Sequence, residues 1–157
     1  MVKNNVIRLL EQRKIAHTVY ELPESKLGAE ESAQFMEVPP AIVFKTIVVT
    51  RKGGGKNILA LVPGDREVDL KALAKAVGEK KVFLPTQREA EELTGLQAGG
   101  ISPLALLNRG FQVVLDSSAR AHKEIHVSGG QRGLNIRLPV FDLIRLTNAR
   151  TAPISRD

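Results

Sequence analysis

The sequence predicts a single α/β domain. At 157 residues the chain suits one hydrophobic core, since domains most often contain about 100–150 residues. Hydrophobic residues make up 43% of the chain, which is enough to bury such a core and to exclude a disordered protein. Helix and strand patterns alternate along the whole chain, without a linker, a repeat or a low-complexity segment.

The N-terminal part of the chain predicts two helices, a strand and a β-hairpin. After a first helix, AHTVYEL has the pattern of a short strand, and EESAQFM predicts a second helix that contains Phe35. Residues Ile42–Thr50 predict a buried strand, and ILALV is its expected hairpin partner after the turn RKGGGKN. The first helix has its apolar residues on one face: Val2, Val6, Leu9 and Leu10.

A helix and a strand are predicted next along the chain. Asp69 is a suitable N-cap for this helix, Gly78 lies just past its end, and the segment KKVFL then predicts the strand. The helix has one apolar face, formed by Leu70, Leu73 and Val77.

The remaining elements are two helices and two strands. Thr86 and Glu89 have the spacing of a capping box, and the helix that they begin should end at Gly95. The segments FQVVLD and EIHVSGG predict strands. Pro139 suits the first turn of a last helix, which extends to Leu146.

Two glycine pairs follow predicted elements and suggest a shared pocket. Gly99-Gly100 precede Ser102-Pro103, which we interpret as the N-cap and first-turn proline of the apolar segment LALLN, closed by Gly110. Free backbone N–H groups at that helix start could meet a ligand, although an ordinary tight turn is the alternative. In VSGGQRGLNI, Gly129-Gly130 follow Ser128 in the same way. We expect both loops to line one pocket for a compact polar substrate.

Composition restricts the chemistry and the partners. The chain has no cysteine, which excludes disulfides, a protein thiol nucleophile and thiolate metal sites. A net charge of +6 favours polyanionic partners such as nucleic acid, but the basic residues are spread along the chain. No nucleotide-binding fingerprint is present, so no cofactor is indicated. The three histidines lack metal-ligand spacing, and a triad of His126, Ser128 and Asp116 is a disfavoured alternative.

The sequence has no membrane signal. No apolar run approaches the roughly 20 residues of a membrane span, and the first residues are amphipathic with charges throughout. We therefore expect a soluble cytoplasmic protein.

Lys45 is the most unusual residue of the predicted hairpin. It is the only charged residue between Ile42 and Val49, in a strand whose pattern is otherwise buried. Such a lysine needs water, a partner or a ligand, and the alternative is a lysine that extends to solvent from an edge strand. Its ammonium group would suit a phosphate or the negative charge that develops on an attacked ester.

Four segments together resemble the YbaK family of aminoacyl-tRNA deacylases, in particular the Cys-tRNA(Pro) deacylases. They are VFKTIVV (43–49), VDLKALAKAVGEKKV (68–82), TGLQAGGISPL (94–104) and VSGGQRGLNIRL (127–138). Their order and spacing extend the resemblance from about Val6 to the C-terminus. The resemblance implies a mixed, partly barrel-like β-sheet surrounded by helices within residues 1–157.

The resemblance also implies a function and a mechanism. The expected activity is the removal of cysteine from tRNA(Pro) that prolyl-tRNA synthetase has mischarged, and the synthetase would be a partner. Correctly charged Cys-tRNA(Cys) is expected to be a substrate as well. The substrate's own thiol would attack its ester carbonyl, so that the protein supplies only orientation and electrostatic stabilisation. Open alternatives are another aminoacyl-tRNA substrate, charged with alanine or serine, and a non-catalytic tRNA-binding or synthetase-binding module. We expect a monomer without metal.

The resemblance places ten residues at the site. Lys45 and Gly100 are the expected catalytic residues, with backbone N–H groups near Gly100 and from Ser128 to Gly130 facing the carbonyl oxygen. Tyr20 and Phe35 have core packing as the alternative role, and Asn135 stands where we expect the family often to carry aspartate. The expected substrate-binding residues are Tyr20, Phe35, Gly99, Ile101, Ser128, Gly129, Gly130 and Asn135.

Overall fold

The computed structural model describes residues 3–25 and 27–157. Helices and strands alternate along them, as the sequence predicts, and Val2 lies outside the described residues. The helices are α1 (Asn5–Gln12), α2 (Ala29–Met36), α3 (Leu70–Ala76), α4 (Gln87–Thr94) and α5 (Val140–Thr147). The strands are β1 (Thr18–Glu21), β2 (Phe44–Arg51), β3 (Ile58–Pro63), β4 (Glu67–Val68), β5 (Val82–Phe83), β6 (Gln112–Asp116), β7 (Glu124–Ser128), β8 (Leu134–Pro139), β9 (Arg150–Ala152) and β10 (Ser155–Arg156).

The strands form a mixed sheet, an antiparallel sheet and a short pair. The mixed sheet has the order β5-β2-β3-β6-β9, in which β2 is antiparallel to β3 and to β5, whereas β6 is parallel to β3 and to β9. The antiparallel sheet has the order β1-β8-β7, and β4 pairs with β10. A bridge between Val43 and His126 joins the two larger sheets. The sheets stay open, which is compatible with the expected partly barrel-like arrangement.

The antiparallel sheet has an apolar face and a polar face. Ile125, Val127 and Ile136 belong to the main hydrophobic core, together with residues of α1 and α5. Since side chains alternate along a strand, His126, Ser128 and the neighbouring side chains of β8 project to the opposite face. Beside that face, α2 contributes to a smaller apolar cluster. The cluster therefore covers part of the polar face, so that this face offers polar groups in a sheltered position, as a ligand-binding site requires.

Local sequence signals define three of the helix starts. The Asp69 side chain accepts a hydrogen bond from Ala72 N at 3.1 Å, as expected for the N-cap of α3. Thr86 and Glu89 form the predicted capping box of α4, and Gly95 adopts the left-handed conformation at its end. Asn4 caps α1 by accepting a hydrogen bond from Ile7 N.

Ser102 is the N-cap and Pro103 the first-turn proline, as predicted, whereas the expected length of that helix and the position of Pro139 in α5 were wrong. The segment after Ser102 forms only a three-residue 3-10 helix, Pro103–Ala105, and Ser102 Oγ accepts the hydrogen bond from Leu104 N. Because Ser102 and Leu104 are buried, this turn packs into the core and offers no helix N-terminus to a ligand. Pro139 is the last residue of β8 and the N-cap of α5, so it precedes the first turn.

None of the helices in the described part of the chain is long and apolar enough to cross a membrane.

Candidate active site

A pocket of about 250 Å³ lies between the two larger sheets, at the start of β2. The end of β7 and the start of β8 form one wall, the N-terminal turn of α2 forms another, and the loop around residues 98–101 closes a third side. Five of the ten predicted site residues line it: Lys45, Gly99, Ile101, Ser128 and Asn135.

Lys45 is the only charged side chain that lines the pocket among the described residues. Its side chain is 25% exposed, and Nζ lies 3.5 Å from Oε1 of Glu67, a side chain that is 65% exposed. An ion pair this long, with so exposed a carboxylate, is weak because water screens it. Strand β5 pairs with β2 only at Thr50 and Arg51, so at Lys45 β2 is paired only with β3 among the described strands, and the edge-strand alternative stands. The sheet therefore fixes the backbone of Lys45, while its ammonium group has only a weak ion pair with Glu67.

Thr46 lines the pocket beside Lys45, and the sequence did not identify it as a site residue. Its Oγ1 is buried and has no hydrogen-bond partner among the described residues. Buried hydroxyl groups are nearly always hydrogen-bonded, so this unpartnered group is an exception within the pocket wall. The signal in the sequence was a second polar residue, directly after Lys45, in an otherwise apolar strand.

Asn135 occupies the centre of a row across the antiparallel sheet. It pairs in register with Tyr20 on β1 and with Ser128 on β7. Its side chain is buried, and Oδ1 lies 3.0 Å from Nδ1 of the fully buried His126. Burial lowers the pKa of His126, an effect that the contact with Asn135 only partly offsets. A neutral imidazole therefore lies behind the pocket wall.

Tyr20 supports this wall without lining the pocket. The centroid of its ring lies 5.2 Å from that of the His126 imidazole, and the ring packs against the cluster formed by Met36, Ala33 and Val43. Phe35 projects from α2 with 58% of its surface exposed, neither in the core nor among the residues that line the pocket. The two aromatic residues that were predicted to bind substrate thus lie outside the pocket in this structure.

The glycine pairs allow two loops to pack tightly. A Cβ at Gly100 would lie 2.9 Å from the Gln131 backbone, and a Cβ at Gly129 would lie 2.7 Å from the Leu134 side chain. Gly100 N donates to Gln97 O, and Gly129 N donates to Leu134 O, each at 2.8 Å.

The third amide of the expected set is also paired. Gly130 N donates to Ser128 Oγ at 3.3 Å, and Gly130 borders a different cavity, beside α1. These three N–H groups therefore have partners within the chain and do not face the pocket as expected. Close packing excludes a side chain at Gly100 and Gly129, and the positive φ values of Gly99 and Gly130 favour glycine at those positions.

The disfavoured triad is not assembled. The carboxylate of Asp116 accepts hydrogen bonds from Ile154 N at 2.9 Å and from Ser118, whereas His126 contacts Asn135.

The described residues around the pocket provide one cation and several neutral hydrogen-bonding groups, but no carboxylate and no thiol. Hydroxyl groups come from Ser25, Ser32, Thr46 and Ser128, and an amide comes from Asn135. Such a lining suits a compact polar ligand that carries acceptor oxygens, such as an ester or a phosphate. None of these hydroxyl groups is hydrogen-bonded to a base among the described residues, and the lining can orient a ligand and stabilise charge on it.

Comparisons with known proteins agree with the resemblance. Residues 24–146 match the model of the aminoacyl-tRNA editing domain. A relative from Enterococcus faecalis, named “Putative Cys-tRNA(Pro)/Cys-tRNA(Cys) deacylase EbsC”, is 36% identical over 98% of this chain and 93% of its own length. The “Multifunctional Ser/Thr-tRNA deacylase ProXp-y” of Escherichia coli is 30% identical over 65% of this chain and 62% of its own length.

A solved structure shares the fold. It is described as “a putative trans-editing enzyme for prolyl tRNA synthetase”, and it superposes with a TM-score of 0.83 and 28% identity over the full length of both chains. Together with the match over residues 24–146, this similarity confirms the family that the four sequence segments predicted. The chain belongs to the aminoacyl-tRNA editing domain family.

Proposed function

We propose that this protein is a free-standing editing enzyme that removes cysteine from mischarged Cys-tRNA(Pro), and also from Cys-tRNA(Cys). The observation that carries the proposal is the pocket at Lys45, whose described lining provides a cation and neutral hydrogen-bonding groups but no thiol and no hydroxyl that is hydrogen-bonded to a base. Similarity to the E. faecalis relative over nearly the whole chain supports cysteine as the amino acid. Because the substrate is aminoacyl-tRNA, we place the activity in the cytoplasm.

In the proposed reaction the substrate supplies the nucleophile. The cysteine sulfur attacks the ester carbonyl carbon and loses its proton, a C–S bond forms, and the bond to the terminal ribose oxygen breaks. The ribose oxygen takes up a proton, which releases tRNA and a cysteine thiolactone that water later opens. Sulfur is a far better nucleophile than a hydroxyl oxygen near neutral pH, so the protein needs no base of its own.

The pocket residues then have complementary roles. The ammonium group of Lys45 stabilises the negative charge on the attacked carbonyl or holds the adjacent phosphate. The unpartnered hydroxyl of Thr46 donates a hydrogen bond to the substrate. Gly99, Ile101 and Ser128 shape the space around the amino acid, which keeps the thiol close to the carbonyl carbon.

We propose that tRNA is held mainly through its phosphates. A second cavity, at the opposite end of β3 from Lys45, is lined by Arg13, Lys56 and Arg150, with no carboxylate among its described lining residues. Three cations at one cavity suit a phosphate of the RNA backbone. Such contacts carry little sequence information, so we propose that association with prolyl-tRNA synthetase directs the monomeric protein to tRNA(Pro).

One observation supports a second substrate. Hydroxyl groups of Ser32, Thr46 and Ser128 surround the pocket and could bind a serine or threonine side chain, the amino acids named for the E. coli relative. A non-catalytic binding module is the remaining alternative.

The deciding experiment challenges the purified protein with tRNA(Pro) charged with cysteine, alanine or serine, with Lys45→Met as the inactive control. The proposal predicts rapid loss of cysteine only. Preferential loss of serine would favour the second substrate, and no loss of any amino acid would favour the binding module.

A further inference from the structure

His126 and Asn135 form a buried hydrogen-bonded pair, and their surroundings determine which of the two side chains donates and which accepts. Asn135 Oδ1 faces His126 Nδ1 at 3.0 Å, while Nε2 of His126 is buried without a partner among the described residues. A neutral imidazole carries one proton. If that proton were on Nε2, a buried donor would lack an acceptor, whereas a proton on Nδ1 is accepted by the Asn135 carbonyl oxygen.

This choice of tautomer determines which end of the Asn135 side chain faces the ligand. With Oδ1 engaged by His126, the Nδ2 amide and its two protons remain for the pocket, which Asn135 lines. Ser128 and Tyr20, its register partners on either side, confine the side chain within the sheet. An aspartate at this position would instead present an acceptor and a negative charge.

We propose that Asn135 donates a hydrogen bond through Nδ2 to the ester carbonyl oxygen of the aminoacyl group, and that His126 is a positioning residue that holds the amide in this orientation. This inference rests on the proposed deacylase function. The described lining has no carboxylate to bind a substrate ammonium group, so the acceptor oxygen of the ester is the group that matches an amide donor. The amide therefore acts beside Lys45 on the charge that develops during the attack.

The test is a double-mutant cycle of Asn135 and His126, extended by one conservative variant of His126. The steady-state parameters kcat and KM for Cys-tRNA(Pro) are measured for Asn135→Ala, His126→Leu, their double variant and His126→Gln, which keeps an amide donor toward Asn135. We expect Asn135→Ala to lower kcat about 10²-fold, as for other donors to a developing oxyanion. His126→Leu should lower kcat about tenfold with little change in KM, the order of one hydrogen bond.

Two results are specific to positioning. His126→Leu should have no further effect in the Asn135→Ala background, because its action passes through Asn135. His126→Gln should recover most of the rate. Equal effects of His126→Leu in both backgrounds would overturn the inference. If the wild-type protein fails to deacylate Cys-tRNA, the proposed function itself fails, and this inference with it.

A measurement on the unmodified protein covers the case in which His126→Leu does not fold. Long-range ¹H–¹⁵N NMR assigns the imidazole tautomer directly, and we expect the proton on Nδ1. A proton on Nε2 would reverse the Asn135 amide and overturn the inference, whatever the activity of the variants.

Discussion

Replacing Lys45 with methionine should abolish most of the activity and leave the fold intact. Methionine keeps an apolar stem of similar length but removes the ammonium group from the only charged side chain that lines the described part of the pocket. Losing one oriented electrostatic partner costs about 10²–10³ in rate, or about 2.7–4 kcal/mol of transition-state stabilisation. The ion pair with Glu67, which the substitution also removes, is 3.5 Å long and its carboxylate is 65% exposed, so the free energy of unfolding should change by about 1 kcal/mol or less.

The assay measures kcat/KM for Cys-tRNA(Pro) alongside thermal unfolding. Glu67→Gln removes the same ion pair without the ammonium group, and Lys75→Met removes an exposed lysine from α3. Both controls should keep kcat/KM within a few-fold of the wild type. Near-normal turnover by Lys45→Met would refute the role of Lys45, and equal losses in Glu67→Gln would show that the ion pair, and not the substrate contact, matters.

Three further predictions concern other parts of the molecule. Thr46→Val should lower kcat/KM by about tenfold while leaving stability unchanged or raised, because the hydroxyl has no partner among the described residues. A loss of stability of equal size, seen in urea unfolding, would argue against a substrate contact. The double variant Arg13→Glu, Lys56→Glu should weaken tRNA binding. The slope of log affinity against log salt should fall by about 0.7 for each phosphate that is no longer neutralised. An unchanged slope in filter binding would show that the tRNA binds elsewhere. Thr86→Ala should lower the free energy of unfolding by about 1 kcal/mol with full activity, since it removes only the cap of α4; a loss of activity would show that α4 contributes to the site.

Selectivity for tRNA can be tested without mutation. If the protein binds mainly phosphates, the isolated protein should deacylate Cys-tRNA(Pro) and Cys-tRNA(Cys) at similar rates, and added prolyl-tRNA synthetase should favour the first. A strong preference for tRNA(Pro) that the synthetase does not alter would instead indicate base-specific recognition.

Features that depend on neighbouring residues were predictable from the sequence. The capping box of Thr86 and Glu89 and the β2-β3 hairpin each form within a short segment. The residues that stabilise them are therefore neighbours in the sequence, where their pattern is visible. Lys45 was identifiable because a charge within an apolar strand is costly unless something pairs with it.

Features that depend on distant segments were not predictable. Strand β8 lies in a segment that looked like a glycine loop, and its partner β1, which is distant in the sequence, approaches it only in the folded chain. The glycine pair at residues 99–100 suggested free amides, but the close approach of Gly100 to Gln131 becomes visible only when the two loops meet. The sequence did not identify Thr46, because its distinguishing feature is a hydroxyl without a partner among the described residues, and a sequence cannot show that a hydrogen bond is absent.

The most direct test of the central claim compares Cys-tRNA(Pro) with Ser-tRNA(Pro) at the same pH, enzyme concentration and tRNA preparation. The two substrates differ by one atom, sulfur or oxygen, and are similar in size. If the substrate thiol is the nucleophile, kcat/KM for the cysteine ester should exceed that for the serine ester by about 10² or more, because a hydroxyl is a far poorer nucleophile near neutral pH. Equal rates would contradict the account and point to a water activated by the protein.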